Sequence, residues 1–169
     1  MVTVRQAAPS DADAIGRVQV ETWRATYTGL MPDETVASFD VEARQRMWRE
    51  GLGRDPRPGS ATFVAEVDGE VVGFASVGRS RDEGAENEGE LYAIYLHPSC
   101  WDRGIGRTLL ERAEGSMRDF GFDRAVLWVL EGNERGERFY HAAGWTPDGR
   151  KDDEFQGAQV VEVRYRKVL

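Results

Sequence analysis

The spacing of apolar positions along the chain changes several times, and each change predicts an element. Residues 3–7 suit a short first strand, and Pro9-Ser10-Asp11 then supplies a turn with capping residues for a helix over about residues 11–27. Ile15, Val18, Thr22, Trp23 and Thr26 recur at helical spacing within it, and the stretch from Gly29 to Pro32 breaks it. Residues 33–39 and 41–52 predict a second helical region anchored by Phe39, Met47 and Trp48, closed by a Pro/Gly/Arg loop over 53–60. Residues 61–67 alternate, reach Asp68-Gly69, a dipeptide favoured in primed two-residue turns, and resume over 71–77 as a β-hairpin. A polar, acidic loop over 78–89 precedes a strand at 91–96, which Pro98 ends. The helix that starts near Gly104 carries Leu109, Ala113, Met117 and Phe120 on one stripe and stops at Gly121. A buried strand follows at 125–130. Asn133 then caps a short helix through Phe139 and Tyr140 to Ala143, closed by Gly144, and residues 159–167 form a last strand. This order is that of an α+β sandwich with one strand–helix–strand crossover at its centre.

The densest chemistry lies where that crossover begins. After the strand at 91–96 comes Arg103-Gly104-Ile105-Gly106-Arg107-Thr108, two glycines among cations at the start of a helix. Glycines without Cβ let backbone N–H groups converge on an anion, the helix aims its positive end there, and Arg103 and Arg107 add full charges. The run lacks the full dinucleotide spacing and the Lys-Ser/Thr ending of an NTPase loop, so a nucleotide-binding protein is the weaker reading.

Composition narrows the classes. A chain of 169 residues fits one domain, 1–169. A net charge of −8 argues against general nucleic-acid binding and mildly favours cationic small partners. Arg5, Asp11, Asp13 and Arg17 interrupt the first twenty residues, so neither a secretory signal nor a membrane span is expected, and the cytoplasm is the default location. Cys100, the single cysteine, cannot form an internal disulfide; with only His97 and His141 beside it, no metal site is expected.

The segment 91–110, joined to Leu127-Trp128-Val129-Leu130-Glu131-Gly132-Asn133 and the helix through Phe139-Tyr140-His141-Ala142-Ala143-Gly144-Trp145, resembles the GNAT superfamily of N-acetyltransferases. The two motifs stand in the family's order, and the two helices between the first strand and the hairpin agree with it as well. The resemblance implies a three-layer α/β fold with helices on both faces of a mixed, mostly antiparallel sheet. The strands 91–96 and 125–130 would form a splayed parallel pair at its centre. It also implies acetyl-CoA as co-substrate. The pantetheine would lie between the splayed strands against Ile94 and Leu96, and the pyrophosphate in the main chain of Arg103, Gly104, Ile105, Gly106, Arg107 and Thr108. Trp101 and Asp102 depart from the family loop; a carboxylate at Asp102 is tolerable beside a diphosphate if it faces solvent or neutralises Arg103.

Acetyl transfer to an amine requires a donor for the oxyanion, a proton for the leaving thiolate and a base. The resemblance assigns the first to the Leu96 backbone N–H and the second to Tyr140, with Asn133 on the pantetheine. Helical spacing lets Tyr140 face the coenzyme while Phe139 enters the core. The plainer alternatives are a core-edge tyrosine and a helix cap. Glu90, just ahead of the strand and sharing a face with Tyr92 and Ile94, is the candidate base, or else a solvated residue ending the acidic run Asp82, Glu83, Glu86 and Glu88. Trp23, Tyr27 and Trp48 lie in the helices that cover the family's acceptor site, although helix-core packing explains at least two of them. Cys100 lacks the aligned base that a nucleophile needs. The expected function is acetyl transfer to a primary amine of a small molecule or peptide in a ternary complex. The alternative is a non-catalytic acyl-CoA-binding module, and a homodimer is compatible with either.

Overall fold

The computed structural model describes all 169 residues. Its sheet has seven strands in the order β1-β2-β3-β4-β5-β7-β6. These are β1 Val2–Gln6, β2 Ala61–Val67, β3 Glu70–Arg79, β4 Glu88–Leu96, β5 Arg124–Leu130, β6 Thr146–Phe155 and β7 Ala158–Val168. The helices are α1 Ala12–Tyr27, α2 Asp33–Ala37, α3 Val41–Leu52, α4 Ile105–Asp119 and α5 Glu134–Ala142. Every neighbouring strand pair is antiparallel except β4 and β5, which run parallel and are joined by α4. Burial of side chains on alternate faces gives the sheet two cores. One packs Leu109, Ala113 and Met117 of α4 against Phe63, Leu91, Leu127 and Trp145. On the opposite face Val20, Trp23 and Tyr27 pack with Phe39 and Leu130, and Ile15 and Val18 pack with Val64 and Phe74.

Two strands differ from the sequence expectation. β4 starts at Glu88, inside what reads as an acidic loop, because Glu88 and Glu90 are buried and each meets an arginine, Arg124 at 3.3 Å and Arg81 at 2.6 Å. β6 was not expected as a strand, since its ten residues are mostly exposed and show no apolar alternation. It is an edge strand ordered by its hairpin with β7. Gln156 and Gly157 take positive φ of 50° and 83°, close to the 51° and 85° of Asp68 and Gly69 in the predicted hairpin.

The central pair is open. β4 and β5 pair only at Glu88 with Arg124, Gly89 with Ala125 and Glu90 with Val126, although both strands continue. The register between β3 and β4 shifts where Val77 faces Leu91 and Ser76 faces Ala93, so Tyr92 is an extra residue in β4. Such a bulge bends its strand, and pairing with β5 has ended beside it. No helix is long and apolar enough to cross a membrane.

Candidate active site

A cleft of about 900 Å³ occupies the gap. Its polar main-chain lining follows from the ladder. His97 donates its N–H to the Val72 carbonyl at 2.7 Å, and antiparallel partners alternate, so Ile94 and Leu96 turn their main-chain groups away from β3 into the gap. The Leu96 carbonyl there accepts Trp101 Nε1 at 2.7 Å and Thr22 Oγ1 at 3.2 Å. Both backbone positions expected to meet the coenzyme thus face the cleft.

At one end the cleft meets the glycine loop. Gly104 caps α4 with φ 78°, a left-handed conformation that favours glycine, and its N-terminal turn opens on the cleft through Gly104, Gly106 and Arg107. A Cβ on Gly106 would lie 3.4 Å from Phe139, an ordinary van der Waals contact, so the tight constraint on the loop lies at Gly104. Arg107, Arg135 and Arg138 line this end, each exposed and beside a carboxylate: Arg107 meets Glu111 at 2.9 Å, Arg138 meets Glu134 at 3.6 Å, and Arg135 meets Asp102, the one carboxylate that also lines the cleft here. The other loop side chains turn away. Ile105 is in the core, Thr108 Oγ1 donates to the Gly104 carbonyl at 3.4 Å, and Arg103 reaches Cys100 Sγ at 3.9 Å. Asp102 does not neutralise Arg103; it holds Arg135 Nη1 at 3.0 Å while the Arg135 guanidinium lies 4.3 Å over Trp101. Asp102 itself adopts φ 59° and is 80% exposed, so its charge is both partnered and hydrated.

α5 brings Asn133 and Tyr140 to the same cleft. Asn133 Oδ1 accepts the Gly136 N–H at 3.0 Å, so it is a helix cap whose amide nitrogen remains available. Tyr140 packs its ring edge against Phe139 and Trp145, with centroids 5.4 and 6.5 Å away, and burial raises its hydroxyl pKa well above the usual phenol range. It is therefore protonated at neutral pH. The expected split of Tyr140 to the cleft and Phe139 to the core does not hold, because both line the cleft and both pack against the α4-side core.

The opposite end is acidic and aromatic, lined by Asp82, Glu90, Asp153 and Glu162 against Arg81 and Lys151, with Tyr27, Tyr95, Trp128 and Phe155. Glu90 lies within β4, 1% exposed, at the vertex of the splay. It accepts the Arg81 main-chain N–H at 2.9 Å and Arg81 Nη2 at 2.6 Å. Asp82 accepts Arg164 Nη1 at 3.1 Å and Trp128 Nε1 at 3.3 Å. Glu162 on β7 is different. Burial raises its pKa, and its nearest cation, Lys151 Nζ, stands 3.6 Å away, beyond hydrogen-bond reach. Of the expected aromatics only Tyr27 lines the cleft; Trp23 is buried and Trp48 meets Phe74 edge-to-face with centroids 5.1 Å apart. Cys100 is 5% exposed and part of the core. Sequence reasoning missed Lys151, Asp153 and Glu162. The one signal was Glu162 as a lone carboxylate among the valines of a strand.

These features are those of a family. The sequence model described as Acetyltransferase (GNAT) family matches residues 20–145. An N-acetyltransferase of Bacillus subtilis, YuaI, whose function is uncharacterized, is 37% identical over 123 residues, covering 72% of this chain and 68% of that protein. Aminoglycoside N(6')-acetyltransferase type 1 of Stenotrophomonas maltophilia is 34% identical over 124 residues, covering 70% and 69%. The crystal structure of the PaiA N-acetyltransferase of Thermoplasma acidophilum in complex with coenzyme A superposes with a TM-score of 0.76 at 24% identity, covering 100% of this chain and 99% of that one. The chain belongs to the GNAT family. It is an N-acetyltransferase.

Proposed function

We propose that the chain moves an acetyl group directly from the coenzyme to a primary amine of a small cationic molecule while both are bound. The observation that carries this is the single cleft through the splayed pair, basic at one end and acidic at the other, which lets thioester and amine meet without a covalent enzyme intermediate. A buried Cys100 outside the cleft supports the same reading. At the basic end the main chain of Gly104 to Thr108, with Arg107, Arg135 and Arg138, would hold the pyrophosphate, and Ile94, Leu96 and Asn133 the pantetheine. The Leu96 N–H faces the developing oxyanion, Ile94 offers a second donor on the same side, and Tyr140 holds the proton that the thiolate needs.

For the amine's proton we assign Glu162. A base must be able to reach the amine with its carboxylate, and Glu162 has a raised pKa and no tight partner, whereas both Glu90 oxygens are occupied by Arg81, through its main-chain N–H at 2.9 Å and its guanidinium at 2.6 Å. Glu90 then keeps Arg81 in place at the vertex. The acidic end suits an acceptor with more than one cationic group, and the aminoglycoside acetyltransferase among the relatives is consistent with that class.

The test is thiol release from acetyl-CoA with a panel of primary amines, polyamines, aminoglycosides and peptides. Turnover with cationic amines and intersecting initial-rate lines are expected; parallel lines would replace direct transfer by a covalent intermediate. Tyr140→Phe should lower kcat on the order of 100-fold while leaving coenzyme affinity within about twofold.

A further inference from the structure

Of the 22 basic residues in the chain only two are lysines, Lys151 and Lys167. Lys167 is occupied: its Nζ donates to both oxygens of the buried Glu114 at 2.8 and 2.9 Å and to the Ala143 carbonyl at 2.7 Å. Lys151 stands in the acceptor end of the cleft. Its Nζ lies 4.3 Å from the centroid of the Trp128 ring, 3.0 Å from Asp153 and 3.6 Å from Glu162. Trp128 is two residues beyond Val126, the last β5 residue paired with β4, so the ammonium sits about 7 Å along the strand from the vertex of the splay. Its side chain is 41% exposed.

We propose that Lys151 is an acetylation site of the protein's own activity, a modification that rests on the direct-transfer reading above. The Lys151 ammonium has what a bound acceptor amine needs: a primary aliphatic nitrogen in the acceptor half, an aromatic face to hold it as a cation, and a half-buried carboxylate to take its proton. A cation needed only to balance Asp153 and Glu162 would serve equally well as arginine, the residue used at every other basic position but one, and arginine is not acylated in its always-charged form.

The step balances within the site. Nζ gives one proton to the Glu162 carboxylate, and its lone pair attacks the thioester carbonyl carbon. The C–N bond forms and the C–S bond breaks. The sulfur leaves as a thiolate and takes the Tyr140 proton, and Tyr140 recovers one from the second N–H as the amide forms. The products are acetyl-lysine, the free thiol of coenzyme A and one proton on Glu162. The acetylated side chain no longer neutralises Asp153 and Glu162, so the acceptor end becomes more acidic.

The experiment incubates the full chain with acetyl-CoA and no added amine, then reads intact mass and maps peptides. The expected result is one acetyl group per chain on Lys151, added at a rate independent of protein concentration, slowed at least about tenfold in Tyr140→Phe. Lys151→Arg, confirmed as folded by its thermal transition, should gain no mass. The α-amino group of Met1 pairs with Asp68 at 2.9 Å on the β1 edge, the opposite edge from β6, and is the internal control for uncatalysed acetylation. Equal labelling of Met1 or Lys167, or an equal mass gain in Lys151→Arg, would overturn the assignment. An unmodified Lys151 in a preparation that acetylates amines would overturn it and leave the direct-transfer reading standing. Silence with every amine together with an unmodified Lys151 would overturn both.

Discussion

The two ends of the cleft are built in opposite ways. The coenzyme end comes from two short segments: one runs from the end of β4 through the loop from Trp101 to Gly104 into the first turn of α4, and the other is Asn133 with α5. Its recognition groups are largely backbone, presented by a glycine in the left-handed region and by a strand that has lost its partner. The acceptor end is assembled from side chains on β4, β5, β6, β7 and the segment after β3, with Lys151 reaching Glu162 across the β6–β7 ladder. Backbone recognition resists substitution of side chains. Side-chain recognition changes with each one, so a common coenzyme and a variable acceptor are compatible with one fold.

The largest effect that tests this contrast is expected at Glu162. Glu162→Gln should reduce kcat/KM on the order of 100-fold. Because burial raises the Glu162 pKa, the carboxylate stays protonated to a higher pH than usual, so kcat/KM of the unmodified protein should climb with pH through that raised value. The substitution should flatten that acidic limb. Glu90→Gln should cost less than about tenfold and leave the limb in place, since the isosteric amide can still accept the Arg81 main-chain N–H and Glu162 carries the proton. A flattened limb in Glu90→Gln alone would reverse the two roles.

At the coenzyme end, Gly104→Ala places a Cβ on a residue with φ 78°. The strain of about 1–2 kcal/mol should weaken coenzyme binding about tenfold by calorimetry, with the acceptor KM little changed. Unchanged affinity would show that the loop rearranges freely. The smallest effect is expected for Asp102→Asn, which keeps a residue tolerant of φ 59° but releases Arg135 from its carboxylate. Coenzyme affinity should rise about two- to threefold at low salt, with the gain lost at high salt. Weaker binding would mean that the Asp102–Arg135 pair orders the mouth rather than opposing the diphosphate.

Legibility in the sequence followed the same division. Asp68-Gly69, the stripe of α4, Asn133 before α5 and the glycines at 104 and 106 carry local signals, because turn, cap and amphipathic patterns are set within a few residues. The hairpin between β6 and β7 has nearly the dihedral angles of the one at Asp68-Gly69, yet Gln156 does not announce it and the polar β6 shows no alternation. Glu88 and Glu90 look solvated in a run of acids, and only the approach of Arg124 and Arg81 explains their burial. The same limit hid the Arg135 partner of Asp102, 33 residues away.

The sequence by itself determined the order of elements and the anion-binding loop, since each depends on neighbours along the chain, while the candidacy of Leu96, Asn133 and Tyr140 came from the resemblance of two of its motifs to a family. Tertiary structure alone decided the rest. The extra residue at Tyr92 and the three-pair contact of β4 with β5 open the gap, and the meeting of β6 with β7 sets Lys151 beside Glu162. Burial and the charges that face a group set its proton affinity, and those charges come from strands far apart in sequence.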